Sequence, residues 1–226
     1  PNLAVVIVSG NAVAMPWIDR VPAVLEAWFS GSEAGNALAD VVFGAVNPSG
    51  KLPFTFPVRL EDNGAHALGE YPGADKVKYN ESIFVGYRWH DKEQLKPLFA
   101  FGHGLSYTAF AVGNVKADRT TLAPNGSIRI SADVTNTGDR AGAEVVQLYI
   151  GDEQSSLPRP VKELKGFQKV SLNPGQTRTV TFEITPGMLQ YYDDAKGAWV
   201  AEPGAFTAYV GAASDDIRGT VEFELK

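Results

Sequence analysis

Ser127-Ile128-Arg129-Ile130-Ser131-Ala132-Asp133-Val134 alternates apolar and polar residues without a break. A period of two puts Ile128, Ile130, Ala132 and Val134 on one face of an extended chain and the polar residues on the other, so the stretch predicts a half-buried β-strand. Outward from it the same pattern recurs at Glu144 to Ile150, Val161 to Val170, Thr177 to Ile184, Phe206 to Val210 and Thr220 to Leu225. The intervening segments carry turn chemistry: Asn136-Thr137-Gly138-Asp139, Asn173-Pro174-Gly175, Glu202-Pro203-Gly204 and Ser214-Asp215-Asp216.

Short alternating strands at this spacing predict an antiparallel β-sandwich of the immunoglobulin or fibronectin III type. The chain has no cysteine, which removes the disulfide-bonded version, thiolate zinc sites and a cysteine nucleophile together.

Upstream the character differs. Leu3-Ala4-Val5-Val6-Ile7-Val8 reads as a strand buried on both faces, of the kind found in parallel sheets, and no parallel neighbour is evident for it within the chain. Asp19 is a fitting N-cap for a short helix carrying Val21, Val24, Leu25 and Trp28 at helical spacing, with Pro22 in the first turn. A second helix is expected from Ser32, with Ala34, Leu38, Val41 and Val42 on one side and Gly44 as its C′ residue. Lys51 to Phe56 reads as a brief extended segment, and residues 57–97 as irregular. The expectation is therefore an α/β fragment over residues 1–97, followed by the all-β sandwich over 98–226.

The 226 residues carry a net charge of −6 from 26 acidic and 20 basic side chains, which argues against a nucleic-acid partner, because neutralising phosphates needs a concentrated basic face. No apolar run approaches the roughly 18 residues that span a bilayer, so no membrane partner is expected. The chain starts at Pro1 with neither an initiator Met nor a signal-peptide pattern.

His66, His90 and His103 stand at no metal-ligand spacing, there is no Gly-x-Ser-x-Gly elbow, and no phosphate-cradling loop is present, so neither a metal nor another cofactor is expected. Phe101-Gly102-His103-Gly104 reads as a hinge where two domains meet. Paired carboxylates remain, as in glycoside hydrolysis, where two of them flank the bond roughly 5–9.5 Å apart. Glu33 is the unusual acid, at the entry to a helix where backbone donors would lower its pKa, and a role anchoring the preceding loop is favoured over general acid. Asp19 and Asp40 read as a cap and a helix-surface charge, and Glu81 as a loop charge. Among aromatic residues, Trp28 and Trp199 are expected in cores, whereas Tyr87 and Trp89, in the irregular stretch, are candidates for a sugar-binding cleft or an interdomain contact.

Several of these segments together resemble a known family. Ala27-Trp28-Phe29-Ser30-Gly31-Ser32-Glu33-Ala34-Gly35-Asn36 through Gly44, then Asn47-Pro48-Ser49-Gly50-Lys51-Leu52-Pro53-Phe54-Thr55-Phe56-Pro57, resemble the C-terminal α/β sandwich domain of family 3 glycoside hydrolases, the β-glucosidase group. Ile83 to Trp89 and Phe101 to Thr108 resemble that group's linker into a fibronectin III-like domain, and Arg159-Pro160-Val161-Lys162-Glu163-Leu164-Lys165-Gly166-Phe167 a signature within it.

The resemblance implies retaining hydrolysis of non-reducing terminal β-glucosides, such as cello-oligosaccharides, with the nucleophilic Asp on an N-terminal (β/α)8 barrel as partner. It places the acid/base in a Ser-Gly-Glu-Gly type motif upstream of the strand resembling Leu3 to Val8. In a plant exoglucanase branch that role belongs instead to a motif resembling Gly31 to Ala34, which keeps Glu33 as a minority candidate. Tyr87 and Trp89 are the candidate substrate-binding residues. The expectation is that both catalytic carboxylates, like the neighbours of the opening strand, lie on polypeptide preceding Pro1. A bacterial periplasmic or secreted location is expected ahead of a cytoplasmic one, and the reading is compatible with a homo-oligomer. A β-xylosidase or other exo-β-glycosidase of the same family, and a non-catalytic carbohydrate- or partner-binding module, are the rival readings.

Overall fold

In the computed structural model, which describes residues 3–226, the opening strand β1 (Ala4–Ile7) does have a parallel neighbour. It pairs with β2 (Ala23–Glu26) in the register Ala4 to Ala23 through Ile7 to Glu26, and the Ala27 N–H extends the ladder by donating to the Ile7 carbonyl. The helix expected after Asp19 is thus a correction. A single 3-10 turn, Ile18–Arg20, precedes a strand. A short apolar run satisfies either period, and here parallel pairing of Val24 and Leu25 with β1 decided against the helical one. The expected burial of the first strand on both faces is corrected as well: Leu3, Val6 and Val8 are exposed, Val8 by 63%.

Helix α1 (Ala34–Val42) follows a 3-10 turn at Gly31–Glu33. It stops where the sequence places its C′ glycine: Gly44 has φ +78° and donates its N–H to the Val41 carbonyl. Ala34, Leu38 and Val41 are half-buried, whereas Val42 and Phe43 face outward, Phe43 by 87%.

The extended segment after it pairs with residues 98–104: Phe56 and Phe99 bridge, Leu52 donates to His103, and Gly102 donates to Leu52. The stretch expected to be irregular contains a 3-10 turn at Leu60–Asp62 and two short helices, α2 (Gly64–Ala67) and α3 (Tyr87–Lys92). The aromatic alternation before Trp89 hides α3. What starts it is Gly86 at φ +61°, a conformation that favours glycine.

The sandwich is built from β3 (Phe110–Ala117), β4 (Thr121–Leu122), β5 (Ile128–Asn136), β6 (Gly142–Asp152), β7 (Glu163–Leu172), β8 (Thr177–Ile184), β9 (Tyr191–Asp193), β10 (Ala198–Val200), β11 (Gly204–Ala213) and β12 (Asp216–Leu225). One sheet runs β4-β12-β11-β6-β7, the other β3-β5-β8, and β9 and β10 form a separate hairpin. Pairing within the two main sheets is antiparallel except where β4 joins β12.

Ile128, Ile130, Ala132 and Val134 all point into the core, opposite Val146, Leu148, Phe206, Val210 and Phe223. Full burial of an aliphatic or aromatic side chain of this size contributes about 1.5–3 kcal/mol. Strand β3 escapes the alternation rule because its pairing with β5 shifts register between Gly113 and Lys116, around Asn114 at φ +52°. Strand β6 is buried on both faces from Val146 to Gly151. Its second face carries Gln147 and Tyr149, and there the sandwich meets the α/β portion.

Candidate functional site

Two aromatic residues of α3 part company at this joint. Tyr87 turns toward the sandwich: its ring stacks on Phe101 at 5.0 Å, meets Tyr149 edge-on at 5.8 Å, and its hydroxyl accepts the Leu164 N–H at 2.9 Å. Trp89 turns the other way and is buried, 6% exposed, against Gly64, where an added Cβ would come within 3.0 Å of the indole. Lys92 lies over the Trp89 and Phe84 rings at 5.1 and 4.8 Å. Of the two, Tyr87 holds the interdomain contact and Trp89 fills the α/β portion. Trp28 is half-buried, at φ +51°, with its ring 5.7 Å from Phe54 and 6.2 Å from Phe56.

The Arg159–Phe167 segment explains itself through charge. Buried Arg159 bonds Asp152 and Glu163, both at 2.9 Å, and donates to the Leu189 carbonyl. Two further residues of the segment reach across the joint: Lys162 pairs with Asp91 at 2.6 Å and Glu163 with Arg88 at 3.1 Å. Gly166 lies against Phe182, where an added Cβ would come within 3.0 Å of the ring. Burial pushes the Glu163 carboxyl up, but the Arg159 hydrogen bond with the Lys165 and Arg88 charges outweighs it and holds the group below the usual range. Burial dominates at Lys165 and pulls its ammonium down.

At the hinge segment, Lys51 pairs with Glu144 at 2.7 Å. The Gln147 amide donates to the carbonyls of Gly102 and Ala212, and its oxygen accepts from the Tyr149 hydroxyl. Phe101-Gly102-His103-Gly104 is thus clamped between β6 and Lys51-Leu52.

A cavity of about 410 Å3 opens along the joint, lined by Thr55, Tyr87, His90, Asp91, Lys96 and Asp215 among others. His90 Nδ1 lies 3.0 Å from the Gly86 carbonyl, which can only accept, so that nitrogen carries the proton. His90 Nε2, Thr55 Oγ1, Trp89 Nε1 and Glu81 Oε2 are buried without partners. A hollow of about 530 Å3 elsewhere on the sandwich, between Ala141 and Ser171, has Arg178 as its one ionisable lining group.

Glu33 lies outside both hollows. It is exposed at the start of α1 and accepts a 2.6 Å bond from Asn36 Nδ2, so it bonds forward into the helix instead of anchoring the preceding loop. Glycosidic general acids need a raised pKa. The carboxyls displaced from their ordinary values among the described residues, namely Asp62, Asp118, Asp133, Glu163, Asp193 and Glu202, are all displaced downward. No group of three or more His, Asp or Glu able to hold a metal ion occurs among the described residues. Sequence reasoning missed the cross-joint pairs, Lys162 with Asp91 and Arg88 with Glu163. The one available signal was the crowding of charge in an otherwise β-like segment.

The family model for the glycosyl hydrolase family 3 C-terminal domain matches residues 1–107, and that for the fibronectin type III-like domain matches residues 144–214. Beta-glucosidase BoGH3A of Bacteroides ovatus is 54% identical over 99% of this chain, and thermostable beta-glucosidase B of Acetivibrio thermocellus 49% identical over 96%. The chain spans 30% and 28% of their respective lengths. Among solved structures, a beta-glucosidase from Kluyveromyces marxianus in complex with glucose superposes with a TM-score of 0.90 at 42% identity, covering 99% of this chain and 26% of that one. DesR, a beta-glucosidase from Streptomyces venezuelae, does so with a TM-score of 0.93 at 40% identity, covering 100% and 29%. The chain belongs to glycoside hydrolase family 3, of which it carries the C-terminal domain followed by a fibronectin type III-like domain.

Proposed function

We propose that this chain is the C-terminal part of a retaining β-glucosidase that removes non-reducing terminal β-D-glucosyl residues. The observation that carries the reading is full-length similarity to proteins named as beta-glucosidases that are more than three times as long. The surface agrees with it. Leu3, Val6, Val8, Phe29, Val42 and Phe43 are exposed on or beside β1, β2 and α1, apolar surface suited to being covered by the rest of such an enzyme, including a (β/α)8 barrel.

In a retaining mechanism one carboxylate attacks the anomeric carbon while a carboxylic acid protonates the leaving oxygen, and water then releases the glycosyl-enzyme. Both groups are assigned to polypeptide outside this chain, since Glu33 is solvated and hydrogen-bonded to Asn36. This chain's contribution is a rigid wall, with Tyr87 and the ion pairs around Glu163 fixing the α/β portion against the sandwich.

The test is hydrolysis of an aryl β-glucoside by the 226-residue chain alone and together with the complementary N-terminal polypeptide. The chain alone is expected to be inactive and the combination active, with glucoside preferred over xyloside. In the intact enzyme Glu33→Gln is expected to leave kcat within about twofold, the range of a surface change. Turnover by the isolated chain, or a loss of kcat by several orders of magnitude in Glu33→Gln, would overturn the assignment.

A further inference from the structure

Tyr192 and Trp199 stand directly opposite each other in the β9–β10 hairpin, so both side chains leave the same face. Their rings meet edge to face at 5.6 Å and 71°, and neither is used in the sandwich core: Trp199 is 65% exposed and Tyr192 50%. This corrects the expectation that Trp199 is core and supplies an exposed aromatic pair that the strand pattern did not reveal.

The pair rests on a fixed support. Tyr191 faces the other way, half-buried beneath the Arg159 guanidinium at 5.3 Å, with its hydroxyl 3.2 Å from Ser156 Oγ. Buried Asp193 closes the turn by accepting the N–H groups of Ala195 and Lys196 at 3.0 and 3.2 Å and pairing with Lys196 Nζ at 2.9 Å. Gly197 supplies the left-handed residue at φ +62°. A ledge held this way loses little freedom when something lands on it.

Charge selects the occupant. The hairpin's one cation, Lys196, is held by Asp193, while Asp194 is exposed and the chain carries −6 overall, so a phosphate-bearing polymer or an anionic lipid surface is repelled. What fits two exposed rings beside a carboxylate is a neutral ligand with flat C–H faces and a rim of hydroxyl donors, which describes a pyranose. We infer that Tyr192 and Trp199 form a stacking site for a neutral β-linked glucan chain. The choice of glucose as the sugar rests on the proposed β-glucosidase reading, whereas the aromatic site itself does not.

The test is affinity electrophoresis of the 226-residue chain and of the intact enzyme through gels containing soluble mixed-linkage β-glucan, with Trp199→Ala, Trp199→Phe and Tyr192→Ala beside the parent. The β-glucan is expected to retard the parent in both forms. Trp199→Ala should weaken binding roughly tenfold, Tyr192→Ala by less, and Trp199→Phe should retain most of it. Unchanged thermal unfolding of the variants shows that the hairpin, not the fold, has been altered.

Several results would overturn the inference: no retardation of the parent, equal retardation of Trp199→Ala, equal retardation by α-linked dextran, or association with anionic vesicles in place of glucan. Retardation of the 226-residue chain but not of the intact enzyme would overturn it too, by showing the pair to be a covered interface. Hydrolysis of an aryl β-glucoside by the parent enzyme, measured in parallel, decides the proposed activity independently of the gel.

Discussion

Gly102 and Gly175 have nearly the same backbone, φ +82° and +73°, in different surroundings. Nothing lies within 4 Å of a Cβ added at Gly175, whereas one added at Gly102 overlaps the Gln147 amide. That amide cannot step aside cheaply, because it holds Gly102, Ala212 and the Tyr149 hydroxyl at once. Gly175→Ala is therefore expected to cost about 1–2 kcal/mol, the left-handed strain alone. Gly102→Ala should cost about 2–4 kcal/mol, because strain is joined by disruption of a buried amide. Urea unfolding of the two variants measures the difference, and equal losses would mean that Gln147 relaxes freely. The glycine at 102 was legible as a turn residue. Its partner was not, since the contact spans 45 residues of sequence.

At the scale of elements, α3 and the segment leading into β7 form one device. Arg88 and Asp91 lie on one face of the helix, and Lys162 and Glu163 meet them from the sandwich. Lys162→Met keeps the apolar stem but leaves the Asp91 carboxylate without its cation, at a cost of about 2 kcal/mol. Paired with Asp91→Asn in a double-mutant cycle, it should show a coupling of about 1–2 kcal/mol. A coupling near zero would reduce the pair to an incidental surface contact. Strand β8 was read with its observed bounds, Thr177–Ile184, because one face is core and the other solvent. Strand β2 and helix α3 were misread for the converse reason: their side chains are sorted by particular neighbours, β1 in one case and the sandwich in the other, so no clean period survives.

For the whole molecule, the displaced groups set a direction for stability against pH. Burial lowers the His103 pKa, so the unfolded chain takes up a proton near pH 6.5 that the folded one refuses, and stability falls as pH drops below that value. Glu163 is also held below its ordinary range, so its contribution is complete above about pH 4.3 and is lost as pH falls through its folded value. Half-buried Lys165 acts in the opposite region: its charge opposes folding in full below its lowered pKa, and the cost fades as pH rises from there toward about 10.4. Urea midpoints measured from pH 8 to 3 are expected to fall in two steps, with His103→Gln removing the upper one; a profile unchanged by that variant would assign the slope elsewhere.

The sequence by itself determined the sandwich, the terminus of α1 and the family, because alternation, turn chemistry and ordered motifs are local properties. Only the tertiary structure decided which strand accompanies β1, why Tyr87 and Trp89 part, what the Arg159–Phe167 segment holds, and that Trp199 faces outward. Each of these depends on a partner distant along the chain, and side-chain burial is set by what packs against a residue, not by the residues beside it.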